Sequence, residues 1–158
     1  MKRRFMVAPF LIYAVAILVA PSAAAEDRGA KFRQIDLNND GYIDESENRT
    51  ALRNRAETMD ANHDGKVTLD EYESWLAKDF SSKAGGKSAA PKVIGSLARC
   101  FILNVLGKDG DSFTIEQYIA YEEKFFRAQD LDHDGRVSLE EFKQPPRPGV
   151  VPMRACNG

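Results

Sequence analysis

"DLDHDGRVSLEE", Asp130 to Glu141, sets aspartates at every second position, then a glycine, and closes on a glutamate. Like charges this close repel unless a positive charge sits among them. Twelve residues in this pattern can gather oxygens around one divalent cation from positions 1, 3, 5, 7, 9 and 12. Here those are Asp130, Asp132, Asp134, the backbone carbonyl of Arg136, Ser138 acting through water, and Glu141. Gly135 falls at position 6, where the sharp turn suits a residue without Cβ. Val137 at position 8 is apolar and free to face a core while its neighbours face the ion. The alternative is an acidic solvated turn, and repetition decides between the two.

The pattern repeats. "DLNNDGYIDESE" spans Asp36 to Glu47 and "DANHDGKVTLDE" spans Asp60 to Glu71. In the first, the oxygens come from Asp36, Asn38, Asp40, the carbonyl of Tyr42, Asp44 and Glu47. In the second they come from Asp60, Asn62, Asp64, the carbonyl of Lys66, Thr68 and Glu71. Gly41 and Gly65 hold position 6, and Ile43 and Val67 hold position 8. Hard oxygen donors in this number suit Ca2+. Mg2+ is a competitor, but it demands tight octahedral geometry and keeps its waters. With three matches, the chain resembles a secreted or periplasmic EF-hand calcium-binding protein of the bacterial type with closely spaced hands. The resemblance implies an all-α fold of helix–loop–helix units, with loops paired by a short β-bridge at position 8.

The first two loops start 24 residues apart, so a step of 24 back from Asp130 reaches Leu106. From there "LGKDGDSFTIEQ" puts Phe113 at the apolar position, but Lys108 at position 3 and Gln117 at position 12. Sliding by one places Gly110 at position 6 and Glu116 at position 12, at the expense of the apolar position. Neither register puts acids at positions 1 and 3, so this third hand reads as degenerate and without metal. The organisation expected is four hands in two lobes: one pair over 26–80, a Ser/Gly/Ala-rich linker over 81–92, and a second pair over 93–144. The Pro-rich tail covers 145–158. Glu47 to Asp60 leaves room for little more than one helix. An unbroken helix there would span roughly 22 Å and hold loops one and two apart. A break near Thr50 would let them pair, and the reading leans to the break.

Residues 1–25 differ in kind. Lys2, Arg3 and Arg4 precede an apolar run from Phe5 to Ala20, and Ala23 and Ala25 fit a small-residue cleavage rule. This reads as a secretory signal peptide cut after Ala25. The expectation is an exported chain, in the periplasm or outside the cell, with no membrane attachment after cleavage. The remainder, 133 residues, carries 19 basic and 24 acidic side chains, a formal charge of −5. It has no basic stripe of the sort nucleic-acid binders carry. Two cysteines, Cys100 and Cys156, leave a disulfide open in an oxidising compartment.

Nothing in the residues points to catalysis. The clustered carboxylates are assigned to loops, and His63 and His133 sit at loop position 4, which does not ligate. Beyond the leader only Met59 and Met153 are methionines, which argues against a promiscuous methionine-rich groove. The aromatics Phe32, Trp75, Phe101, Phe125 and Phe126 recur at helical spacing and read as core. The function expected is a calcium buffer or metal-stabilised fold with three filled sites. The alternative is a calcium-dependent sensor or adaptor for a single protein partner.

Overall fold

The computed structural model describes residues 23–83, 89–107 and 110–144. The tail, and all of the leader before Ala23, lie outside the described residues. Among the described residues six helices and four very short strands follow one another: α1 Ala23–Ile35, β1 Tyr42–Ile43, α2 Glu45–Met59, β2 Lys66–Thr68, α3 Leu69–Lys83, α4 Pro91–Leu106, β3 Ser112–Thr114, α5 Ile115–Gln129, β4 Val137–Ser138 and α6 Leu139–Lys143. The helical class expected is therefore present, with strands of two or three residues inside the loops. The linker is shorter than the 81–92 expected, because α3 continues to Lys83 and α4 begins at Pro91. Proline at the first helical position lacks only an N–H that would have no partner there, so the helix starts cleanly on it.

The lean towards a break near Thr50 is overturned. Asp44 caps α2, accepting the Glu47 N–H at 2.8 Å, while the Glu47 carboxylate accepts the Asp44 N–H at 3.1 Å. Thr50 does not start a second helix. Its hydroxyl donates to the Ser46 carbonyl one turn back, at 2.8 Å, so it sits inside a continuous helix. The 15 residues of α2 therefore hold loops one and two roughly 22 Å apart. The single helix leads out of loop one and into loop two. In the same way α5, also 15 residues, leads out of the third loop and into loop four.

This changes which loops meet. Instead of one pairing with two and three with four, β1 pairs antiparallel with β4 and β2 with β3. Ile43 faces Val137, and Val67 faces Phe113, so position 8 meets position 8 in both ribbons. The Val67–Phe113 match also fixes the third loop's register as the one starting at Leu106. Loop one thus lies beside loop four, and loop two beside the degenerate third loop.

Two hydrophobic clusters follow from that pairing. Around loops two and three are Ala56, Met59, Val67, Tyr72, Ala98, Ile102, Phe113, Tyr118 and Ile119, with Phe101 and Trp75 packed against them. Around loops one and four are Phe32, Ile43, Phe126 and Val137, with Ile35, Leu139 and Phe142 against them. Of the aromatics read as core, Phe32, Phe126, Phe101 and Trp75 join these clusters, while Phe125 is half-buried against Tyr121. Tyr72 stacks on Phe101 at 4.7 Å and meets Phe113 edge-on at 6.0 Å. Burial pushes the Tyr72 hydroxyl up to about 12. Cys100 on α4 is disulfide-bonded, and Cys156 lies outside the described residues.

The two long shared helices pack on each other. Arg49 of α2 donates to Glu123 of α5 at 2.7 Å and to Glu116 at 2.6 Å, and Arg53 also donates to Glu116. Glu123 is almost buried, its side chain 11% exposed, while Arg49 is about half exposed.

Candidate metal centres

Each acidic loop is assembled by the same local hydrogen bonds. The position 1 aspartate accepts the N–H of the position 6 glycine: Asp36 from Gly41 at 3.1 Å, Asp60 from Gly65 at 2.8 Å, Asp130 from Gly135 at 3.0 Å. The position 3 side chain accepts the N–H of position 5, at 2.8 Å for Asn38, 2.9 Å for Asn62 and 3.2 Å for Asp132. The position 5 aspartates Asp40, Asp64 and Asp134 accept the N–H of Tyr42, Lys66 and Arg136 in turn, at 2.8 to 2.9 Å. Such side-chain-to-backbone bonds curl the chain around its own acidic oxygens.

The glutamate at position 12 closes the ring. One Glu47 oxygen accepts the N–H of Leu37 and Asn38, at 2.9 and 3.1 Å. Glu71 does the same with Ala61 and Asn62, and Glu141 with Leu131 and Asp132. The other oxygen accepts the N–H of position 9: Asp44, Thr68 or Ser138. The glutamate is at once the far end of the loop and the third residue of the next helix, half of a reciprocal cap. The spacing from position 9 to position 12 is therefore set by helix capping as well as by ligand count.

These bonds tune the acids. The Thr68 N–H, then its hydroxyl, hold Glu71 below the usual carboxylate range. Burial pushes Glu141 up, but the N–H groups of Ser138 and Leu131 and the Ser138 hydroxyl outweigh it, leaving it lowered. The Glu47 N–H holds Asp44 low. All three are anions at neutral pH, the form a cation needs.

The backbone explains the histidines. Asn39, His63 and His133, at position 4 of the three acidic loops, adopt the left-handed conformation with φ of 59°, 60° and 63°. The glycines two residues on have φ of 86°, 83° and 85°. Asparagine and histidine tolerate this region better than most residues. Both histidines are exposed, and their position answers to turn geometry. A further contact was not read from the sequence: the Arg136 guanidinium lies over the Tyr42 ring at 4.2 Å, joining loop four to loop one.

The third loop shares the strand pairing and the helix cap of the others, with no acid at position 1, 3, 5 or 12. Its Thr114 hydroxyl accepts the Gln117 N–H at 3.2 Å, and the Gln117 amide oxygen accepts the Thr114 N–H at 2.8 Å. Glutamine thus supplies the cap that glutamate supplies elsewhere, with no charge. The Asp111 carbonyl accepts the Leu69 N–H at 2.7 Å, tying this loop to loop two.

The donors fit a hard divalent cation. One carboxylate oxygen from each of Asp130, Asp132 and Asp134 lies within 4.8 Å of the other two. Oδ1 of Asp130 is buried and has no hydrogen-bond partner. A buried anionic oxygen left unpaired is costly, and a cation among the three acids would satisfy it. In loops one and two an asparagine takes position 3, and its amide donates to the neighbouring aspartate, Asn38 to Asp40 at 3.3 Å and Asn62 to Asp64 at 3.2 Å. That softens the same repulsion and explains why the all-carboxylate cluster stands at loop four.

Comparison with known proteins agrees with this geometry at three positions. No curated protein and no solved structure matches the chain. A family model described as EF hand matches residues 30–49, 57–77 and 123–144. Those spans contain the three acidic loops with parts of their flanking helices, and leave out the third loop. At these positions the chain is similar to the EF-hand family, and the matches support an EF-hand calcium-binding protein.

Proposed function

We propose that the chain is an exported calcium-binding protein whose three acidic loops each hold one Ca2+, serving as a buffer or as a metal-stabilised fold. The observation that carries the reading is the Asp130–Asp132–Asp134 cluster with its unpartnered, buried Asp130 oxygen. In each loop the residues expected to hold the ion are the side chains at positions 1, 3, 5, 9 and 12 and the backbone carbonyl at position 7. The ion would supply the positive charge that these oxygens lack. The loop backbone would hold them in place, since every acidic loop already curls through bonds from its own N–H groups. Mg2+ has the right donor class and would compete, less well, for a site of this many oxygens.

Export rests on the charged, then apolar, then small-residue run of residues 1–25. The disulfide at Cys100 suits an oxidising compartment. The aromatic side chains are committed largely to the two cores, which favours a buffer or stabilised fold over an adaptor that presents them to a partner.

Glu47→Gln, Glu71→Gln and Glu141→Gln test the assignment loop by loop. Each keeps the capping bonds, as Gln117 does in the third loop, and removes the charge and one carboxylate oxygen. Each should take one equivalent from the calcium stoichiometry measured by calorimetry while leaving the far-ultraviolet circular dichroism of the helices intact. Unchanged stoichiometry and affinity in all three would refute it.

A further inference from the structure

Residues assigned to different sites sit at opposite ends of one helix. Asp44 and Glu47 of loop one form the start of α2, and Asp60, position 1 of loop two, caps its end, its N–H donating to the Ala56 carbonyl at 3.1 Å. Thr114 and Gln117 of the third loop start α5, and Asp130, position 1 of loop four, caps its end, with its N–H on the Phe126 carbonyl at 3.1 Å. The ribbons β2–β3 and β1–β4 join the two helices at their far ends. The chain is thus a closed ring: loop one, α2, loop two, third loop, α5, loop four, and back to loop one. Arg49 braces the ring across its middle, between the nearly buried Glu123 and Glu116.

From this we infer that loop two is energetically coupled to the loop-one and loop-four pair through α2 and α5, and that Arg49 is a positioning residue for that coupling. The inference rests on the calcium reading above. Ordering one loop pins one end of a helix whose other end carries a second loop. The second loop then has less freedom left to lose on binding. Two loops in direct ribbon contact need no such path; loop two has none to loops one and four, so the helices must carry it. Arg49 lies two residues beyond Glu47 on α2 and ties it to the nearly buried Glu123 and to Glu116 on α5.

The chain carries its own reporter. Trp75, its one tryptophan, lies one turn beyond Glu71 on α3, and its indole N–H donates to the Thr58 hydroxyl at the end of α2, at 3.1 Å. Its fluorescence follows loop two. The experiment is a calcium titration of the full chain read by Trp75, with and without Glu141→Gln, which alters only loop four. Asp134→Asn, which removes the charge that all three acidic loops carry at position 5, is a second change in the same loop, used if the first variant loses helical circular dichroism. Coupling raises the calcium midpoint at Trp75 by about 5-fold or more. In an Arg49→Gln background the same change should move it by less than about 2-fold, and Arg49→Lys, which keeps a charge beside Glu123, should recover part of the shift. Glu123→Gln stands in if Arg49→Gln does not fold. An unmoved midpoint in the loop-four variants overturns the coupling. A full shift in the Arg49→Gln background overturns the role of Arg49. A wild-type chain that takes up no calcium in equilibrium dialysis instead overturns the calcium reading itself.

Discussion

Replacing Phe113 by alanine should destabilise the folded chain by about 3–5 kcal/mol, the usual cost of emptying a buried phenylalanine site. Phe113 belongs to the one loop that lacks the acids, yet its side chain is 1% exposed. It meets Phe101 at 5.7 Å and Tyr118 and Tyr72 at 6.0 Å, and it stands opposite Val67 in the ribbon with loop two. Such ring pairs add about 0.5–1.5 kcal/mol each beyond the area they bury. A small domain has only about 5–15 kcal/mol in total, so the loss is a large share of the whole. Urea unfolding of the metal-free protein measures it. The same substitution should weaken calcium binding at loop two, although Phe113 offers no ligand, because Thr68 and Lys66 are held by the ribbon that Phe113 anchors. A loss below 1 kcal/mol would mean that the third loop is not a structural template for the second.

Removing the metal should have the larger effect on melting. A ligand that binds only the native form stabilises it by about 2.7 kcal/mol per site when present at a hundred times its Kd. Three filled sites then give about 8 kcal/mol, and a domain of this length gains roughly 2–4 °C per kcal/mol. The melting temperature should therefore fall by about 20 °C on transfer from saturating calcium to excess chelator. Without the ion, Asp130 keeps an unpaired buried oxygen beside two further carboxylates. Magnesium should restore only part of the difference. Identical melting curves in calcium and chelator would contradict the account.

The acidic loops were legible in the sequence because everything that shapes them is local. Position 1 to position 12 is one continuous stretch, and the turn glycines and capping glutamates leave marks at fixed spacing. The third loop was legible for the same reason: Phe113 at position 8 marked it although positions 1, 3, 5 and 12 hold no acid. The pairing of loops was not legible, because it turned on one hydroxyl. Had Thr50 capped a new helix, loops one and two could have met; its bond to the Ser46 carbonyl keeps α2 whole and sends each loop to a distant partner. Threonine has both habits, and only the surrounding packing chooses between them. The Arg49–Glu123 bridge, 74 residues apart in sequence, follows from that choice and leaves no local trace. The left-handed position 4 also has a local mark, since asparagine or histidine occupies it in each acidic loop.

The decisive experiment is a calorimetric titration of calcium into the metal-free chain lacking residues 1–25. Uptake of three equivalents is expected, falling to two in each of the Glu47→Gln, Glu71→Gln and Glu141→Gln variants. Absence of binding at millimolar calcium would contradict it, and so would a fourth equivalent traced to the loop that ends at Gln117.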